Sequence, residues 1–273
     1  MSCAVSLYLI SSLIIAISLR GKRNQGTEEA NDDLSKKTAL AFAIGAIATV
    51  MHLALTARHS FINGQLDFSL GSVAILISGL LCLIFILGGL HLPIRRLGVV
   101  VFPLTVLSVL FGWFRNSEPN LLAGWSNAAT AHIVVSILSY CLLAIAAIQA
   151  ILYTYQERQL KKHVSPAMLI ALPPLQTMEQ LLFRLIWTGF ALLSLTLISG
   201  MVFTNEIYNR PFEFNHHTIL AIMGWLVYVV LLFLRVTQGV RGTQAVYWTI
   251  AGFLFIQLGY FGTKLVTESM AVQ

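Results

Sequence analysis

What limits this chain most is a series of eight long apolar runs joined by short polar segments. A helix needs roughly 20 mainly apolar residues to cross a hydrocarbon core of about 30 Å. Within that core every backbone N–H and C=O must be satisfied inside the protein, and a helix does so within its own run. The runs fall at about 4–19, 38–57, 69–90, 97–114, 128–155, 183–204, 216–235 and 244–266. They take up most of the 273 residues and leave only 10% of the chain charged, against about 25% in soluble domains. The expected fold is therefore all-α: one polytopic membrane domain over residues 1–273, built as an eight-transmembrane-helix bundle among lipid.

The basic residues orient it. The loops after the first, third, fifth and seventh runs hold most of the lysines and arginines, among them Arg20, Lys22, Arg23, Arg95, Arg96, Arg158, Lys161, Lys162 and Arg235. The opposite loops hold Arg58, Arg115, Arg210 and Lys264. Basic loops stay cytoplasmic, so both termini are expected on the outer, periplasmic side. The net charge of +6 belongs to this bias, which argues against a nucleic-acid partner. No basic residue precedes the first run and no A-x-A site follows it, so it reads as a retained helix rather than a cleaved signal. Residues 20–37 read as a flexible cytoplasmic loop. In the segment 156–182, Pro166 and Pro173–Pro174 interrupt helix, and Thr177-x-x-Gln180 resembles a capping box opening the sixth helix. Cys3, Cys82 and Cys141 are far apart and form no CxxC pair, which disfavours thiol redox chemistry.

Five of the seven histidines, His52, His59, His132, His216 and His217, fall on the outer side. His52 sits roughly 8 Å deep in the second run and His132 roughly 6 Å deep in the fifth; His216 and His217 open the seventh. Ionisable groups inside a span are costly and usually face the bundle interior or a water-filled cavity. Haem iron accepts neutral imidazole as an axial ligand, and His52 and His132, on different helices, form the best-placed pair for it. His217 is a third candidate, as ligand or as partner of a haem propionate. The plain alternative is that each histidine is an interhelical hydrogen-bond partner. His59 reads as part of a polar loop with Arg58 and Asn63, and His91 and His163 as solvated loop residues.

Several stretches resemble a known family. Leu172-Pro173-Pro174-Leu175 with Glu179 is similar to the PPL-x-x-x-E signature of the cytochrome c assembly (CcsA/ResC-type) membrane proteins. Gly224-Trp225-Leu226-Val227-Tyr228, Leu234-Arg235, Gly239-x-Arg241-Gly242 and Tyr260-Phe261-Gly262 resemble its C-terminal half, and Ala131-His132-Ile133 with Ser139-Tyr140 its HV…YA helix. The resemblance covers about 124–267, and within the family it is greatest to the YpjD/HemX-like inner-membrane branch. It implies handling of haem at the outer face of a bacterial inner membrane, with His132 and His52 at histidine positions. It departs in three places. The tryptophan-rich loop of the family would fall around Phe203–Thr218, where no Trp stands. Lys264-Leu265-Val266 replaces its late LHSY histidine. Phe233 stands where relatives carry His before Leu-Arg.

The expectation is a non-enzymatic, accessory or regulatory haem-binding protein. Non-covalent haem b would lie between His52 and His132 as axial iron ligands, with His217 also in the cofactor site. Its partners would be lipid, haem and other cytochrome c assembly or membrane proteins. A proton-linked permease using the same histidines, and a structural subunit of another membrane protein, are the alternatives.

Overall fold

A computed structural model describes residues 1–21, 28–62, 65–92, 94–115, 126–161, 174–203 and 215–266. Eight helices make up nearly all of them: α1 Ser2–Gly21, α2 Glu28–Ser60, α3 Leu70–His91, α4 Gly98–Phe114, α5 Asn127–Lys161, α6 Leu175–Val202, α7 His216–Gln238 and α8 Thr243–Gln257. A π-helical turn, Leu258–Gly262, carries α8 onward so that helix continues to Val266. A two-residue antiparallel pair, Phe61–Ile62 with Gln65–Leu66, follows α2. Six of these helices are long and apolar enough to cross a membrane. The apolar parts of the other two, Ser2–Ser18 and Gly98–Phe114, are shorter. Large apolar side chains cover the outward faces, Leu13, Leu107, Phe114 and Val236 among them, as expected where lipid rather than water is the neighbour.

The helix ends correct the sequence reading in several places, His91 among them, which is the last residue of α3 rather than a loop residue. Residues 28–37, expected in a loop, belong to α2. His59 accordingly lies in the last turn of α2 and not in a loop. Thr177 and Gln180 lie inside α6 rather than capping it, because the helix begins directly after Pro174, whose carbonyl accepts from Met178 N at 3.1 Å. Proline needs no N–H partner at a helix start. Asn63, His163, Pro166 and the segment 204–214, which includes Arg210, lie outside the described residues.

The chain gathers into two compact units. Unit 1 comprises Met1–Pro119 with Tyr155–Met178. In it α1 packs on α2 and α4, and α3 on α2 and α4. Its interior is aromatic: Tyr8 stacks on Phe102 at 5.6 Å between ring centroids, and Phe102 meets Phe85 edge-on at 5.7 Å. Pro103 stands inside α4 and has no N–H for the carbonyl of Val99. Ser12 of α1 supplies the replacement, donating to that carbonyl at 3.3 Å. A side chain re-satisfying a freed backbone group is what allows proline within an apolar helix.

Unit 2 comprises Asn120–Thr154 with Glu179–Gln273. Trp225 of α7 donates to Ser194 of α6 at 2.8 Å and stacks on Phe190 at 5.8 Å. Tyr228, fully buried, donates to the Thr249 carbonyl of α8 at 3.2 Å. Ser139 of α5 donates to the Gly189 carbonyl of α6 at 2.9 Å. At one end of the unit Arg235 joins three elements. It pairs with Glu179 at 2.8 Å, donates to the Val240 carbonyl at 2.8 Å and lies over the Phe183 ring at 4.1 Å. Gly239 makes the turn possible by adopting φ +66°, a left-handed helix end that glycine takes without steric cost. The signature residues Glu179, Trp225, Tyr228, Arg235 and Gly239 are thus helix-joining residues.

Candidate functional site

At the opposite end of unit 2, an early turn of α5 meets the last turn of α6, and the first turn of α7 meets the π-helical turn after α8. His132, partly exposed on α5, has its Nδ1 2.8 Å from Ser199 Oγ of α6. The Ser199 hydroxyl also donates to the Thr196 carbonyl at 3.1 Å. With its one proton used there, Ser199 accepts from His132, which places the imidazole proton on Nδ1. Nε2 then keeps its lone pair, as in a metal-ligating histidine whose other ring nitrogen is held by a hydrogen bond. The ring rests on Gly200: a Cβ there would stand 3.2 Å from His132 Cε1. Glycine at this position leaves the space the imidazole fills.

His132 and Ser199 line an open groove of about 630 Å³, whose walls are otherwise mainly apolar, with Ala131, Val135, Leu195, Ile198 and Phe203 among them. Binding sites for cofactor-sized ligands fall at 300–1,000 Å³ and share this mix of apolar wall and few polar groups.

His217, in the first turn of α7, lies near enough for its charge to act on His132. Its ring meets that of Tyr260 edge-on at 6.2 Å. Tyr260 belongs to the π-helical turn, a feature often found at functional sites, and Lys264 Nζ lies 5.9 Å from its ring. Tyr140 of α5 donates to Gln257 just before the same turn. The sequence reading put His132 and His217 in one cofactor site; the placing of Ser199 beside His132 and of Tyr260 beside His217 depends on which helices neighbour one another, and no local motif encodes that.

His52 belongs to unit 1, where it is fully buried. Its Nδ1 lies 3.3 Å from the Tyr8 hydroxyl, which in turn lies 3.2 Å from Thr49 Oγ1. Thr49 spends its proton on the Gly45 carbonyl at 2.8 Å. The proton between Tyr8 and His52 Nδ1 comes from either group, according to the ring tautomer. Nε2 has no hydrogen-bond partner among the described residues. His52 is enclosed by Leu53 and Gly79, whose absent Cβ would stand 3.5 Å from the ring. Of the remaining histidines, His91 and His216 are exposed. Phe233, at the position where the family resemblance would put a histidine, is 63% exposed and so turned away from the interior of its unit.

Relatives of known name bear on this arrangement. The inner membrane protein YpjD of Escherichia coli K12 is 30% identical over 238 residues, covering 84% of this chain and 87% of that protein. The cytochrome c biogenesis protein CcsA of Guillardia theta is 27% identical over 195 residues, 64% of this chain and 65% of that protein. CcsA of Chlamydomonas reinhardtii is 27% identical over 182 residues, 64% of this chain and 50% of that protein. The pattern that describes the cytochrome C assembly protein family matches residues 39–271, a stretch that contains His52, His132, His217 and every helix-joining residue named above. This multi-pass membrane chain belongs to the cytochrome c assembly protein family.

Proposed function

We propose that the protein is a haem-binding component of cytochrome c assembly in the bacterial inner membrane, accessory rather than enzymatic, holding haem b non-covalently at the outer leaflet. All eight helices span in this reading, and the distribution of lysine and arginine turns both termini and the His132 end of unit 2 outward. Membership of the family supports a haem-related role, and the name of the Escherichia coli relative supports the location. The observation that carries the reading is the His132 imidazole at the mouth of an apolar groove, with Nδ1 held by Ser199 and the Nε2 lone pair left for a ligand.

Haem, when bound, would supply an iron centre that accepts neutral imidazole, and His132 would hold it. The chain's part is to keep His132 in the right tautomer, wall the macrocycle with Val135, Leu195 and Ile198, and exclude water. His217, in the same unit and on the same end, is the second imidazole. His52 is a second reading for that place, favoured by an Nε2 without a hydrogen-bond partner among the described residues; reaching iron would require the packing of Leu53 and Gly79 around it to open. No thiol pair is present for redox chemistry on an apocytochrome, so haem attachment itself would fall to partner proteins.

Protein purified in detergent after expression with haem supplied is expected to show a Soret band and about one haem per chain by pyridine haemochrome. His217→Ala should keep part of the haem but shift its spectrum. A colourless wild-type preparation that also fails to take up added haem would refute the reading. The permease alternative would instead show itself as pH-linked solute flux in liposomes.

A further inference from the structure

We infer that the Asn127 side chain is the carboxylate-binding group of the His132 groove and sets which way round an amphiphilic ligand lies in it. This deepens the haem reading of that groove and rests on it. Among the described residues, the polar side chains lining the groove are those of Asn127, His132 and Ser199. His132 and Ser199 are joined to each other at 2.8 Å. Asn127 is exposed, and its amide makes no hydrogen bond among the described residues. An asparagine at a helix start is commonly its cap, but at α5 Ser126 fills that place. The Ser126 hydroxyl accepts from Ala129 N at 3.1 Å and its carbonyl from Thr130 N at 3.1 Å. The Asn127 amide is thereby left to the groove. Along α5 it stands about 7.5 Å before His132, at 1.5 Å per residue, and only the small Ala128 and Ala131 lie between them on the lining. The facing wall on α6, with Leu195 and Ile198, is apolar apart from Ser199. A ligand with its apolar body on that wall and its centre at His132 therefore has its acidic edge at Asn127. There the amide presents two N–H donors at the exposed start of the helix.

An amide N–H also meets neutral ester oxygens, such as those of a lipid, so the probes must separate a charged acceptor from a neutral one. Binding of protohaem and of its dimethyl ester to detergent-purified protein would be titrated for wild type, Asn127→Ala and Asn127→Asp. Wild type is expected to prefer the free acid by about tenfold, the size of one hydrogen bond to a charged group. Asn127→Ala should lose that preference while keeping the wild-type Soret maximum, because His132 is untouched. Asn127→Asp should reverse it and bind the ester better than the acid, since aspartate offers no donor and repels a carboxylate. Aspartate in the first turn of a helix is favoured by the helix dipole, so this variant keeps its fold. Equal affinity of wild type for both probes overturns the inference, as does an undiminished preference for the acid in Asn127→Ala. Weakening of both probes alike in either variant also overturns it, and gives Asn127 a packing role alone. Failure of wild type to bind either probe refutes the haem reading itself, and is thereby told apart from failure of the amide's role.

Discussion

His132→Ala is expected to strip the protein of most of its haem, weakening binding by at least about 100-fold, whereas Ser199→Ala weakens it by about 10–100-fold. The difference follows from the geometry. Alanine at 132 removes the imidazole that the haem reading assigns to the iron; alanine at 199 removes the oxygen beside its Nδ1. Without that acceptor the ring can rotate and move its proton to Nε2, which no longer binds a metal. Titration with haem, followed at the Soret band, orders the three proteins. Equal affinity of wild type and His132→Ala would remove His132 from the site. Equal affinity of wild type and Ser199→Ala would show that the tautomer is set by something other than this hydrogen bond.

Arg235→Ala is expected to lower the thermal stability of the detergent-solubilised protein by about 2–3 kcal/mol, since it strands a partner carboxylate and frees a backbone carbonyl. The corresponding fall in melting temperature is roughly 5–10 °C. Glu179 is largely shielded, at 16% side-chain exposure, and loses its ion-pair partner, while the Val240 carbonyl loses its donor. Lysine at 235 restores the charge but cannot lie flat on Phe183 and reach both acceptors together, so Arg235→Lys should recover less than half of the loss. Removing both partners, as Glu179→Ala with Arg235→Ala, should cost less than the sum of the single changes. Additive losses would show that the pair is uncoupled. The haem spectrum of Arg235→Lys should match wild type, because the clamp and the groove lie at opposite ends of unit 2.

The sequence made the helices legible because apolar run length is a direct physical requirement of the bilayer. It was less informative where the helix leaves the apolar zone. Residues 28–37 are charged and yet helical, since helix propensity continues past the point where hydropathy stops. The Thr177-x-x-Gln180 pattern misled because Pro174 already provides the start of α6. The partnership of Ser12 with the carbonyl freed by Pro103 joins residues far apart in the chain and has no local signature. His132 and His52 stood out as polar groups within apolar runs, and the structure sets each beside a chain of hydroxyl groups. That chain could not be read from spacing, since Ser199 and Tyr8 are distant in sequence. Glu179 and Arg235 carried the family resemblance, and their role in joining helices appears only when the ends of α6 and α7 are seen together.

The claim that two imidazoles of unit 2 act on one ligand is tested most directly by electron paramagnetic resonance of the ferric haem-loaded protein. Wild type should give the low-spin signal of iron held by two histidines, His52→Ala should leave it intact, and His217→Ala should convert it to high spin. A low-spin signal that survives in His217→Ala and disappears in His52→Ala would contradict the account and return the second ligand to unit 1.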